Sequence, residues 1–180
     1  MWPTILVVAL IIAVVSLFFL KNKFKVLKSF KVTVPEDYNH EKQLSTINPN
    51  KLCNDNITDE NFKNATNPLI PGKTYTAKLI GIRPGKIATS EEILEKVYKR
   101  YKAILVGGQG LSLVRQLKGD EFPKGNFYVS FDKKDALWAD ASGYHRVPYV
   151  GRGYDGGFKF HLGCFEFGWY EDCVFLCLCD

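Results

Sequence analysis

The stretch KTYTAKLIGI, Lys73 to Ile82, decides the fold. Apolar and polar residues alternate along it with a period of two, the signature of a strand with one buried face. Arg83-Pro84-Gly85 then forms a turn. Thr89-Ser90-Glu91-Glu92 fits a capping box, with Thr89 as N-cap and Glu92 reaching back from the third helical position. Behind it Ile93, Leu94, Val97, Tyr98 and Tyr101 recur on one side of a 3.6-residue period, which predicts an amphipathic helix.

Toward the C-terminus, Ala103 to Val106 is a short apolar run suited to a strand covered on both faces. Gly107-Gly108-Gln109-Gly110 interrupts it as a loop, and Leu111 to Leu117 reads as a short helix. Asn126 to Phe131 is a strand. Asp132 to Tyr144 holds a helical turn and a loop, and Val147 to Val150 is a strand. Asp155-Gly156 signals a type I′ hairpin between alternating arms. Cys164 to Trp169 reads as a further strand, with room for a bulge at Gly163, and Cys173 to Cys179, CVFLCLC, is the last. The order β-α-β-α-β followed by antiparallel strands predicts an α+β domain over residues 72–180: one mixed, mostly antiparallel sheet with two or three helices on one face.

Toward the N-terminus, residues 35–71 are Asn-rich and lack a sustained period, so they read as a loosely ordered spacer. Residues 21–34 form a basic segment in which apolar residues alternate with Lys, either extending a helix or beginning a strand. Before it stands Ile5 to Leu20, ILVVALIIAVVSLFFL, without a charge. With Trp2, Pro3 and Thr4, residues 2–20 come close to the roughly 20 residues that a bilayer core requires. No Lys or Arg precedes the run, and its bulky end gives no cleavage site, so it reads as a single N-terminal transmembrane helix over residues 1–20 and not as a signal peptide. Lys21, Lys23, Lys25, Lys28 and Lys31 follow directly and place the rest of the chain in the cytoplasm, at a cell membrane crossed once. An extracytoplasmic domain is the alternative.

The chain has 24 basic and 19 acidic residues and a net charge of +5. Five of the basic residues and no acidic one lie in residues 1–31, so the remainder carries 19 of each sign and no net charge. The basic character is therefore local. It suits anionic lipid headgroups at those five lysines and gives no support for nucleic acid as a partner.

Lys102 to Val150, with AILVGGQGLSLV and FPKGNFYVSFDKKDALWADASGYHRVPYV, and the ending LGCFEFGWYEDCVFLCLCD together resemble a group of small bacterial proteins of the candidate-phyla type. No activity goes with that group, so the resemblance implies no function, cofactor or site.

Gly107, Gly108, Gln109 and Gly110 are the candidate ligand-binding residues, because free backbone N–H groups between a strand and a helix can cradle an anion. The third glycine of a dinucleotide fingerprint is missing, and no P-loop is present. The cysteines do not suggest a metal. Cys177 and Cys179 share a strand face about 6.5–7 Å apart, whereas two thiolates on one zinc lie within about 4 Å. They read as small apolar core residues, unpaired thiols that suit a reducing compartment. No cofactor is implied and no catalytic residue is assigned. Trp138, Tyr144, His145 and Arg146, the most polar and aromatic loop cluster, form the candidate interaction surface. The sequence thus leads to a membrane-anchored interaction domain. The alternative is a ligand-binding domain or enzyme using the Gly107–Gly110 loop and His145.

Overall fold

The computed structural model describes residues 23–180, so the apolar run Ile5 to Leu20 and Lys21 lie outside the described residues. Among the described residues no helix is long and apolar enough to cross a membrane. The fold is α+β, with one mixed sheet and two helices. The strands are β1 (Phe24–Thr33), β2 (Thr74–Ile82), β3 (Asn126–Val129), β4 (Trp138–Ala139), β5 (His145–Arg152), β6 (Phe158–Cys164) and β7 (Cys173–Cys179). Helix α1 runs through Ser90–Ile93, a π-type stretch Leu94–Tyr98 and Lys99–Tyr101; helix α2 is Gly107–Lys118. The sheet order is β1-β2-β7-β3-β5-β4, and β6 pairs along the other edge of β5. All pairs are antiparallel except β3 with β7.

The last strand organises the molecule. Every residue of CVFLCLC is buried, because the run is apolar at each position and both of its sides need cover. Cys173, Phe175 and Cys177 face a core shared with Ile93, Val97 and Tyr98 of α1. Val174, Leu176 and Leu178 face the opposite core, with Leu111 and Val114 of α2. The expectation of helices on one face is corrected accordingly: α1 covers one face and α2 the other.

The segment read as a loose spacer is also corrected. Leu44, Ile47, Ile57, Phe62 and Leu69 are buried in the α2-side core. Their spacing follows no period because the segment is a chain of turns and single-turn 3-10 helices (His40–Lys42, Leu44–Thr46, Pro49–Lys51) and not one regular helix or strand. Its Asn and Asp side chains bind backbone instead: Asn48 Oδ1 accepts from Asn50 N, Asn54 Oδ1 from Asn56 N, and the Asp59 carboxylate from Leu44 N and Ser45 N at 2.8 and 2.9 Å.

The basic segment becomes β1. A register shift between Val26 and Lys28 sends Phe24 to one core and Val32 to the other. Its lysines are largely engaged. Lys23 Nζ meets Glu92 at 2.5 Å and Lys28 meets Glu121 at 2.6 Å, while Lys31 donates to Thr76 Oγ1 at 2.8 Å.

Three local expectations change. Ala103 to Val106 is not a strand; only Ile104 bridges, to Leu178. Cys164 to Trp169 does not continue β6, which ends at Cys164; residues 165–172 cross back over the sheet, and Trp169 bridges Ala88. The Asp155-Gly156 hairpin exists, but only Gly156 has positive φ, at +87°. With Gly156 N donating to Gly153 O and Gly153 N to Gly157 O, the loop is a three-residue one ending on a left-handed glycine, not a type I′ turn.

Candidate functional site

The hairpin between β4 and β5 carries the four residues singled out from the sequence. Asp140 builds its turn: the carboxylate accepts from Ser142 N and Tyr144 N, and its second oxygen takes both Nε and Nη2 of Arg146. Arg146 holds that carboxyl below its ordinary range, against the opposing effect of desolvation. Trp138 packs against the α2-side core, half-buried. Tyr144 faces out, its ring 5.5 Å from that of Phe167, which is 58 % exposed.

His145 meets a residue that sequence reasoning missed. Its Nδ1 lies 2.8 Å from Glu166 Oε1, and its backbone N donates to Oε2 at 3.2 Å. Lys134 Nζ lies 3.1 Å from the same carboxylate, and the Cys164 thiol donates to it at 3.2 Å. Desolvation alone would raise the Glu166 carboxyl; His145, Cys164 and Lys134 together outweigh it and hold the group down at about 2. The same contacts act oppositely on Cys164, whose thiol is pushed up by burial and by donating to the carboxylate. A protonated thiol is a poor nucleophile. His145 and Cys164 both direct their polar atoms at Glu166, so this cluster is a structural clasp joining the β4–β5 hairpin to the loop after β6.

The glycine stretch is not a loop. Gly107–Gly110 is the first turn of α2, and all four residues are buried. Gly107, at φ +55°, donates its N–H to Phe131 O, and Gly110 N donates to Val106 O. Gln109 Nε2 donates to Phe62 O at 2.7 Å. A Cβ on Gly108 would stand 2.9 Å from the Pro148 ring, and one on Gly107 3.3 Å from the Asp132 carboxylate. That carboxylate takes the amides of Thr66 and Lys133. The helix start is thus covered by Pro148, Asp132 and residues 62–66. These glycines serve close packing, the reason glycine is needed there.

The open surface lies elsewhere. Two clefts meet at Phe127, one at the end of the sheet where β5 turns into β6 and one beside the loop before β7. The larger, of about 460 Å³, is lined by Phe127, Tyr154, Phe158 and His161, with Lys51 and Lys159. The smaller, of about 260 Å³, shares Phe127 and adds Tyr149, Trp169 and Tyr170. Tyr149 stacks on His161 at 5.1 Å and meets Phe127 edge-on at 5.6 Å. Burial, and then Lys159, lower the His161 pKa, so the ring stays neutral to a lower pH than an ordinary histidine. Tyr154 and Tyr170 are 85 % and 58 % exposed. Neither the Gly107–Gly110 turn nor His145 lines either of these two clefts.

Sequence reasoning missed these residues because it read only a hairpin between alternating arms at Asp155-Gly156 and a strand over Cys164 to Trp169. The aromatic and acidic density of residues 165–172, too irregular for a period of two, was the available signal. Among the described residues no group of three or more His, Cys, Asp or Glu is placed to hold a metal ion. No family model matches the chain, and neither a curated protein nor a solved structure is similar to it.

Proposed function

We propose that this protein is a binding domain held at a membrane by Ile5 to Leu20, with its globular part in the cytoplasm. The uncovered aromatic face of the sheet is its contact surface. The observation that carries the reading is the grouping of Phe127, Tyr149, Tyr154, Phe167 and Tyr170 on one side of the molecule, largely uncovered by either helix. Exposed aromatic patches of this kind are where partners dock, since each ring offers a large apolar area with few rotamers to freeze. Of the four residues first singled out, Tyr144 belongs to this surface through Phe167. Arg146 and His145 shape it through Asp140 and Glu166.

A photo-crosslinking amino acid placed at Phe167 in the full chain, in intact cells, tests this. A discrete adduct is expected there and none at Lys96, on the exposed side of α1. Absence of any adduct at Phe167, Tyr144 and Tyr170 would remove the reading.

A further inference from the structure

We infer that the 460 Å³ cleft at the β5–β6 hairpin binds the anionic headgroup and upper acyl chain of a phospholipid drawn from the bilayer that holds the protein. The inference rests on the membrane anchorage proposed above. It begins from the register of the sheet. Phe24 pairs with Ile82, Gly81 with Val174, Cys173 with Phe127, Asn126 with Arg152 and Arg152 with Phe158. These pairs place the start of β1 and the mouth of the cleft in one row across the same end of the sheet. Phe24 follows Leu20 by four residues, a reach of at most about 14 Å. That end of the sheet is therefore the end held near the bilayer. Five strand spacings separate β1 from β6 along the row, about 24 Å, so the cleft lies within the domain's own footprint on the membrane.

Its chemistry fits an anionic amphiphile. Phe127, Phe158 and His161 give an apolar floor, and the volume falls within the range of small-molecule sites. Lys51 and Lys159 stand at the rim without a carboxylate partner among the described residues. Arg152 lines the cleft as well. Its Nη1 is held by the carbonyls of Gly119 and Phe122, its nearest carboxylate is Asp120 at 3.9 Å, and its Nε is buried with no hydrogen-bond partner among the described residues. The one acidic residue of the lining, Asp155, turns its carboxylate into its own loop, accepting from Gly157 N at 2.9 Å. Tyr154, at the hairpin tip and 85 % exposed, has the amphipathic ring that settles at the headgroup level.

The test uses the full chain reconstituted in phosphatidylcholine vesicles containing a photoactivatable phosphatidylglycerol, with adducts mapped by mass spectrometry. Labelling is expected on residues 151–159 and 125–127, saturable and displaced by unlabelled phosphatidylglycerol but not by phosphatidylcholine. Lys51→Ala with Lys159→Ala is expected to weaken that affinity about 30-fold, the effect of two lysines at an anionic surface, and arginine at both positions to restore it. Three results would overturn the inference. Labelling confined to residues 1–23 in a protein that resists carbonate extraction leaves the anchorage standing and removes the lipid cleft. Release of the protein by carbonate removes the anchorage and the inference together. Equal labelling by the double variant shows that the lysines do not select the ligand.

Discussion

The Tyr98 hydroxyl donates to the carbonyl of Leu176 at 2.8 Å, across 78 residues of sequence, and accepts from the amide of Phe131 at 3.0 Å. It stands where β3 departs from β7, in the fork left when the parallel pair ends at Val129 and Phe175. Two backbone groups there would otherwise be buried without partners. Burial raises the phenol pKa well above its ordinary value, which keeps the donor proton in place.

Tyr98→Phe should therefore cost about 2–4 kcal/mol, because it leaves no cavity but orphans a buried N–H and a buried C=O. Urea unfolding checks it: the midpoint should fall while the slope stays unchanged. A loss below about 0.5 kcal/mol would mean that water replaces the phenol.

Gly108→Ala should destabilise the protein by about 1–3 kcal/mol through contact with Pro148, although alanine favours a helix by about 1 kcal/mol over glycine. Gly119→Ala is the control. Its Cβ would sit 3.4 Å from the Phe158 ring at a helical φ of −56°, and its effect should stay within about 0.5 kcal/mol. Thermal melts of the two variants side by side decide it.

Glu166 gives a pH dependence of known sign. Its folded pKa, about 2, lies below the ordinary 4.5, so its contribution is present above pH 4.5 and is lost as pH falls from 4.5 toward 2. Glu166→Gln should lower the melting temperature at pH 7 by more than at pH 3. Parallel melting curves across that range, with a constant difference, would refute the clasp.

The thiols should separate cleanly. Cys53 is exposed, whereas Cys164, Cys173, Cys177 and Cys179 are buried. Burial raises all four of the latter, Cys173 to about 12. Ellman's reagent at pH 8 should titrate one fast thiol in the native protein and the remaining four only after denaturation. Cys53→Ser should abolish the fast phase.

What could be read from the chain alone was local. The N-cap at Thr89 holds, its Oγ1 accepting from Glu92 N at 3.2 Å, and the five apolar residues of α1 face the sheet as their spacing requires. Glu92 does not complete the capping box; Lys23 and Lys96, one of them 69 residues away, take its carboxylate. The same non-locality hid the clasp, since Glu166 lies 21 residues from His145. It also hid the start of α2. Four residues that read as a flexible, ligand-ready turn are helical because Pro148 and Phe62, distant in sequence, close upon them. Residues 35–71 were misread for a different reason. Turn chemistry can bury a segment without any periodicity, so the absence of a period did not mean the absence of a core.

The direction of the outer strands has a mechanical consequence. β1 runs from the row of Phe24, β2 returns, and β7 ends at the opposite end of the sheet, where Cys179 pairs with Thr76. A tension applied between the segment before Phe24 and the residue after Cys179 loads both ladders lengthwise, so their hydrogen bonds resist in parallel and not one after another. Under that load the two ladders shear and do not unzip.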